Sequence, residues 1–285
     1  MKLYTEMPKR LFTFGCSFTK HYRPTWANIL SEELGLPVYN YGRGGAGNQY
    51  IFNQLMQADN YFKISQNDLV IVCWTNLARE DRWIDGRWQT HGNIYTQNFY
   101  SKNFVVEYFD EINSVLRDLA VIKASYEFLK NTNCQFHFLK MIDLEQVAQF
   151  AGDYNLGEDE DRKSQLFEQY REYLRFIQPS FYSMLWNNDL TVREDKDKKI
   201  HPLLNDRHPD ILEHLEYLER VFDEHQFSVK TKQLVAQSFD RTVSILRDCY
   251  VNGIDVVGQQ VRFLNYVNEI NTVKIGNSLE LEGFY

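Results

Sequence analysis

The sequence predicts an α/β protein built on a parallel β-sheet with helices on both faces, and three observations predict it. Short apolar runs alternate in order with stretches of helical periodicity, the pattern of repeated strand–helix–strand units. One run, Leu69-Val70-Ile71-Val72-Cys73-Trp74, is almost continuously apolar, as a parallel strand covered on both faces requires. Glycine-bearing polar segments follow the first two runs, where such a sheet carries its ligands.

Arg10 to Phe14 is a short apolar run that ends at Gly15, and a helical pattern begins near Pro24 with Trp26, Ile29, Leu30 and Leu34 on one face. Gly35 stops that helix, and Val38-Tyr39-Asn40-Tyr41 reads as a second strand. The glycine-rich stretch Gly42 to Asn48 leads into a helix carrying Ile51, Leu55 and Met56, after which Asp68 introduces the apolar third strand. Asp85-Gly86, between Arg82-Trp83-Ile84 and Arg87-Trp88, has the centre of a tight hairpin, and the segment 82–101 is expected as an excursion over the site. One long helix is expected over 104–129, then a fourth strand over 135–141. The stretch 144–199 mixes amphipathic pieces with charged runs (Gly157 to Asp161, Arg193 to Lys199) and reads as solvated loops or an insertion with no assigned chemistry. Beyond Phe227, periodicity in Leu234, Phe239, Val243, Ile245 and Leu246, then in Val256, Val257, Val261 and Leu264, predicts helices. The expected organisation is a main domain over 1–226, with insertions near 82–101 and 144–199, and a helical C-terminal appendage over 227–285.

At 285 residues with 44% hydrophobic residues the chain can bury a full core. No apolar stretch has the roughly 18-residue length of a membrane span, and the N-terminus lacks the pattern of a signal peptide, so a cytoplasmic protein without membrane association is expected. Cys16, Cys73, Cys134 and Cys249 lie far apart, without the paired spacing of a zinc site or the density of a disulfide framework. Reduced buried thiols, no metal and no cofactor are the expectation. The net charge of −8 opposes non-specific nucleic-acid binding. With 18 Tyr and 20 Phe, aromatic side chains could line a groove for sugars or bases, but most belong to the core.

The chemistry centres on Ser17. A serine hydroxyl is a poor nucleophile unless a base takes its proton, and a sharp turn after a strand exposes it beside backbone N–H groups that can hold an oxyanion. Gly15-Cys16-Ser17 stands at such a turn, although Gly-x-Ser after a strand can equally cap the next helix. The second half of the constellation is Asp206-Arg207-His208-Pro209-Asp210, just before an amphipathic helix with Ile211, Leu212, Leu215 and Leu218. Asp206 two residues from His208 can orient the imidazole while its other nitrogen faces the serine, or Asp206 and Asp210 can simply cap the helix.

Taken together, these segments resemble the SGNH (GDSL-like) hydrolase family. Gly15-Cys16-Ser17 matches the block that holds the nucleophile, Asn40-Tyr41-Gly42-Arg43-Gly44-Gly45 the second block, and Asp206-Arg207-His208-Pro209 the last. The resemblance covers roughly residues 8–225. It implies a flavodoxin-like three-layer α/β/α sandwich, a catalytic triad of Ser17, His208 and Asp206, and an oxyanion hole to which Gly45 gives a backbone N–H. Cys16 stands where the family has an acidic residue, and the third block is altered to Trp74-Thr75-Asn76-Leu77-Ala78-Arg79-Glu80, without its glycine. Asn76 is the carry-over there as the oxyanion donor; a turn asparagine is its structural alternative.

Arg43 and Arg79 belong to loops expected to face the pocket, where a guanidinium could clamp a carboxylate or phosphate. His21, His91, His201 and His214 lack a partner positioned in sequence, and His214 is expected to be structural. The resulting expectation is a serine esterase or deacylase acting on a small-molecule or carbohydrate acyl ester, with possible self-association through the C-terminal helices. A non-catalytic binding or assembly protein on the same fold is the alternative. A phosphate-cradling role for Gly42 to Asn48 lacks the Lys-Ser/Thr of a P-loop.

Overall fold

Leu11, Phe12 and Phe14 of β1 (Arg10–Phe14) and all seven residues of β3 (Asp68–Trp74) are buried in the computed structural model, which describes residues 1–95, 99–144, 160–200, 206–253 and 267–279. With helices on both faces neither side-chain direction of these strands leads to water, so the run of apolar residues has no polar alternate. β2 (Pro37–Asn40), β6 (Gln135–Lys140) and β7 (Asn277–Ser278) complete a five-stranded sheet of order β6-β3-β1-β2-β7, parallel throughout. α1 (Trp26–Leu34) crosses from β1 to β2, and α2 (Asn48–Phe62) crosses back past β1 to β3. Right-handed crossovers in opposite directions put these helices on opposite faces. α4 (Glu111–Thr132) crosses from β3 to β6 and packs beside α2, while α9 (Ile211–Val221) and α10 (Val229–Val251) pack with α1. The architecture is therefore a three-layer α/β/α sandwich. Its first four strands follow the flavodoxin order, but the fifth lies beside β2 instead of beyond β6.

Both sheet edges are short. β7 contributes two residues on one side, and on the other Ile177 forms a single parallel bridge to Phe138, with the Gln178 N–H on the Phe138 carbonyl at 2.8 Å. Such fragments cover the outermost ladder positions without offering a long new edge.

Two sequence expectations are corrected. The helix foreseen over 104–129 is two helices, α3 (Lys102–Tyr108) and α4, because Phe109 is extended and Asp110 caps α4 by accepting the Asn113 N–H at 2.7 Å. The described part of 144–199, expected as loops, is largely helical: α5 (Glu160–Gln169), α6 (Arg171–Leu174), α7 (Phe181–Trp186) and α8 (Leu190–Ile200). The charged run from Arg193 to Lys199 lies in α8, where Arg193 and Asp197, one turn apart, are both buried and paired. The acidic stretch 157–159 lies outside the described residues, as do Val256, Val257, Val261 and Leu264. Within the region from 227 onward, Val235 of α10 joins the main core, Ile245, Leu246 and Cys249 form a satellite cluster with Ile270, and β7 joins the central sheet. Among the described residues no helix is long and apolar enough to cross a membrane.

The hairpin after β3 consists of β4 (Arg79–Ile84) and β5 (Arg87–Asn93). Asp85 and Gly86 at its tip have φ of 51° and 75°, the paired positive values that match the twist of a two-residue hairpin. The base of the hairpin is latched onto the glycine loop. Asp81 accepts the N–H groups of Gly47 and Tyr50, each at 2.8 Å, and so supplies the α2 cap that Gly47 cannot provide for itself. Thr90 donates to the Gly44 carbonyl at 2.9 Å and Arg43 to the Trp88 carbonyl at 3.0 Å. Replacing Asp81 by Ala leaves two helix N–H groups without their acceptor, and the expected cost is about 2 kcal/mol. Urea unfolding checks this; an unchanged midpoint would show that the latch contributes nothing.

Candidate active site

β1 ends at Phe14, and the chain turns sharply where only a glycine fits: a Cβ on Gly15 would lie 2.0 Å from Thr19 Oγ1 and 3.1 Å from the Cys73 carbonyl oxygen. The N–H groups of Thr19 and Lys20 both donate to the Cys16 carbonyl, at 2.9 and 3.1 Å, closing the turn with Ser17 at its crest. Asn40, at the end of β2, ties this turn to the glycine loop. Its amide donates to the Thr19 carbonyl at 2.9 Å, and its oxygen accepts the Gly42 N–H at 2.9 Å. Ser17 is half-buried, so its hydroxyl reaches the surface from a fixed backbone.

The loop before α9 meets this turn from the other side. His208 Nε2 lies 2.8 Å from Ser17 Oγ, and His208 Nδ1 lies 2.5 Å from Asp206 Oδ1, which also accepts the His208 backbone N–H at 3.1 Å. The two-residue spacing lets one carboxylate oxygen hold both the ring and the backbone of the histidine. The other oxygen, Oδ2, faces Arg23 Nη2 at 3.0 Å and the Tyr22 hydroxyl at 3.3 Å. Burial alone would raise the Asp206 carboxyl; Arg23 and His208 outweigh it and hold it well below the usual carboxylate range. An ionised Asp206 in turn favours a proton on Nδ1, leaving Nε2 free to accept one.

Arg23 and Arg193 were not singled out in the sequence, yet both are buried and both donate to the same atom, the His208 carbonyl oxygen, at 2.9 and 3.0 Å. Arg193 is itself fixed by Asp197 and by Glu213, the latter at 3.1 Å and further bound by the Trp186 indole N–H at 3.1 Å. Nothing in sequence separates Arg23 from a surface arginine. The spacing of Arg193 and Asp197 was the one available signal for the second. His21 stacks on His208 with ring centroids 4.3 Å apart and 26° between planes. Burial first, then His208 and Arg23, keep His21 well below its ordinary range, so it lies against His208 as a neutral ring.

β3 is followed by Thr75 and Asn76, both buried. Asn48 at the start of α2 grips Thr75 by both backbone groups, accepting its N–H at 2.9 Å and donating to its carbonyl at 3.1 Å. The Asn48 amide also donates to buried Asp118 at 2.8 Å. Burial pushes the Asp118 carboxyl up to about 6 against the pull of Arg117, which bonds Asp118 at 2.7 Å, Glu80 at 2.9 Å and the Arg79 carbonyl at 3.0 Å. Asn76 Oδ1 accepts the Ala78 N–H at 2.7 Å, a turn that orients the amide, while its buried Nδ2 has no partner among the described residues. Gly45, φ 74°, lies under β5, where a Cβ would come within 2.2 Å of the Thr90 carbonyl.

Of the other sequence candidates, Arg43 donates to Trp88 and lies under the hairpin over the Tyr50 ring, 5.8 Å from its centroid. Arg79 donates to the Ala46 carbonyl at 2.8 Å. His91 stacks on Phe99, His214 is buried between Phe18 and Phe181, and His201 lies outside the described residues. Burial lowers His214 to about 3. All four cysteines are buried and free. The ligand atoms of His21, Asp206 and His208 lie within 4.8 Å of one another, the one such grouping among the described residues, but both nitrogens of His208 are already engaged by Asp206 and Ser17.

An acid whose folded pKa lies below its unfolded value, about 3.9 for Asp, stabilises the fold above that value and gives the stability up as pH falls through the folded one. Arg23→Met removes the charge that holds Asp206 down. It should cost about 3–5 kcal/mol at neutral pH, and unfolding free energy should rise less steeply between about pH 2 and pH 5 than in the wild type. Denaturant titrations across that range measure both; parallel pH curves would contradict the Arg23–Asp206 coupling.

No protein-family model and no curated protein sequence matches the chain. Among solved structures it is similar to a GDSL-like lipase of Bacteroides thetaiotaomicron, 12% identical, with 79% of this chain and 90% of that one covered and a TM-score of 0.42. It is similar also to a member of the lipolytic G-D-S-L family from Veillonella parvula, 12% identical, with 76% and 99% covered and a TM-score of 0.39. A third is a psychrotrophic esterase of Pseudoalteromonas, 9% identical, with 76% and 93% covered and a TM-score of 0.36.

Proposed function

We propose that the protein is a serine hydrolase of acyl esters, an esterase or deacylase, with Ser17 as nucleophile, His208 as general base and Asp206 as its orienting carboxylate. The observation that carries the reading is the continuous line from Asp206 Oδ1 through both ring nitrogens of His208 to Ser17 Oγ, with contacts of 2.5 and 2.8 Å. His208 Nε2 takes the hydroxyl proton as Ser17 Oγ bonds to the acyl carbon, and the carbonyl π electrons move onto oxygen. The unpartnered Asn76 amide and the backbone N–H groups of Ser17 and Gly45 receive that oxyanion. Collapse expels the alcohol, which leaves with the proton from His208. Water, deprotonated by the same nitrogen, then releases the acid and restores Ser17.

The unspent Asn76 donor supports this reading over a binding protein that has lost its chemistry. A buried amide N–H without an acceptor is costly in a resting structure and becomes useful when a charge forms beside it.

A fluorophosphonate probe should label the folded protein stoichiometrically, and Ser17→Ala should abolish labelling. Ser17→Ala and His208→Ala should each remove turnover of small acyl esters, and Asn76→Ala should lower kcat by about a hundredfold or more. Hydrolysis that survives in both the Ser17 and His208 variants would refute the assignment. Folded wild-type protein that takes no label would favour the binding or assembly reading.

A further inference from the structure

Resting on the hydrolase reading above, we infer that Arg79 forms a subsite for an anionic group of the substrate, a carboxylate or phosphate carried near the scissile acyl ester.

Arg79 opens β4 and is half-buried. Its Nη1 donates to the Ala46 carbonyl at 2.8 Å, and among the described residues its Nη2 meets only the Met141 sulfur, at 3.5 Å, a weak acceptor. Among the described residues it has no carboxylate within ion-pair distance. Other arginines with sheltered head groups are neutralised: Arg10 by Asp68 at 2.7 Å, Arg23 by Asp206 at 3.0 Å, Arg117 by Glu80 and Asp118 at 2.9 and 2.7 Å, and Arg193 by Asp197 and Glu213. Arg43 also lacks a carboxylate, but its charge rests over the Tyr50 ring. Asp81, whose carboxyl feels Arg79, spends both oxygens on the start of α2. A guanidinium drawn partly out of water without a counter-charge is costly, and a bound anion would remove that cost.

The partners of this charge connect it to the segments that carry Ser17 and Asn76. Ala46, which holds Nη1, follows Gly45 of the oxyanion loop, and Arg79 lies three residues beyond Asn76. The Met141 sulfur under Nη2 is also 3.7 Å from Cys16 Sγ, directly before the nucleophile, and 3.9 Å from Thr75 Oγ1. Tyr182, whose backbone N–H donates to the Met141 carbonyl at 3.3 Å, feels the charges of Arg79, Arg207 and Asp206. Burial pushes its phenol up to about 12, so it remains a donor at neutral pH. A planar guanidinium with Nη1 anchored and Nη2 facing a soft sulfur is suited to grip an oxyanion carried on the substrate.

The test compares esters that differ only in charge. Monophenyl glutarate against its methyl ester puts the anion on the acyl side, and 3-carboxyphenyl acetate against 3-carbamoylphenyl acetate puts it on the alcohol side. In the wild type, kcat/KM for the anionic member of one pair should exceed that of its neutral partner by about tenfold or more, carried mainly by KM. Arg79→Met should bring that ratio to about one, and Arg79→Lys should retain part of it. Calorimetric titration of the Ser17→Ala protein with benzoate and with phenyl phosphate distinguishes a carboxylate from a phosphate source, and the Arg79→Met substitution should abolish the binding. Equal rates within both pairs in an active wild type, or a preference that survives Arg79→Met, would overturn the inference while leaving the hydrolase reading intact. If Ser17 takes no label and no ester turns over, the hydrolase reading fails. The calorimetry then still decides: anion binding lost with Arg79→Met sustains the subsite, and absence of binding ends it.

Discussion

Two guanidiniums, from Arg23 and Arg193, converge on the carbonyl oxygen of His208, and the candidate site depends on that convergence. The segment from Asp206 to Asp210 has no helix or strand to define its path, so its backbone must be positioned by something outside it. Arg23 comes from the segment leading to α1 and Arg193 from α8, and together they fix the loop from two separate parts of the chain. Arg23 also compensates Asp206, so one buried cation sets both the location of the imidazole and the ionisation of the acid behind it. The arrangement ties the electrostatics of the relay to the packing of α8, whose own arginine is neutralised by Asp197 and Glu213. A buried cation network of this kind is weakly stabilising in net terms, but breaking one member leaves an uncompensated charge.

The opposite wall is held by hydrogen bonds of a different sort. Asn48 holds the backbone at the end of β3, Asp118 orients Asn48, and Asp81 joins the hairpin to the first turn of α2. These polar groups are buried because the hairpin covers the glycine loop, and the hairpin remains there because the polar groups are satisfied. The sheet contributes the common reference: Ser17 follows β1 and Asn76 follows β3, neighbouring strands at the point where the connections change direction.

Much of this frame was legible in the sequence because it depends on local chemistry. Gly35 adopts the left-handed conformation that ends α1, Asp85-Gly86 forms the turn its dipeptide favours, and the apolar run before Trp74 occupies a fully covered strand. Ser17, His208 and Asp206 stand out in the sequence because their motifs carry their own spacing, and the fold brings them within hydrogen-bond distance. What escaped notice depends on distant partners. Arg23 acquires its role only where the fold brings Asp206 beside it. The charged run 193–199 resembled a solvated face, although its two buried members pair with each other and with Glu213. The break before α4 required weighing the capping capacity of Asp110 against the helical periodicity that runs on through it.

The two-residue strand β7 has a consequence for the order in which the molecule can be completed. During synthesis, β1, β2, β3 and β6 have all emerged long before Asn277 and Ser278, so the outer edge of β2 awaits the last described part of the chain. That edge is only four residues long and begins with a proline, which has no N–H to offer a neighbour. β2 therefore presents little to a foreign strand while it waits. Gly276, which precedes β7, passes so close to α1 that a Cβ would meet the Asn28 carbonyl at 2.4 Å, so this final closure relies on a residue with no side chain to obstruct it.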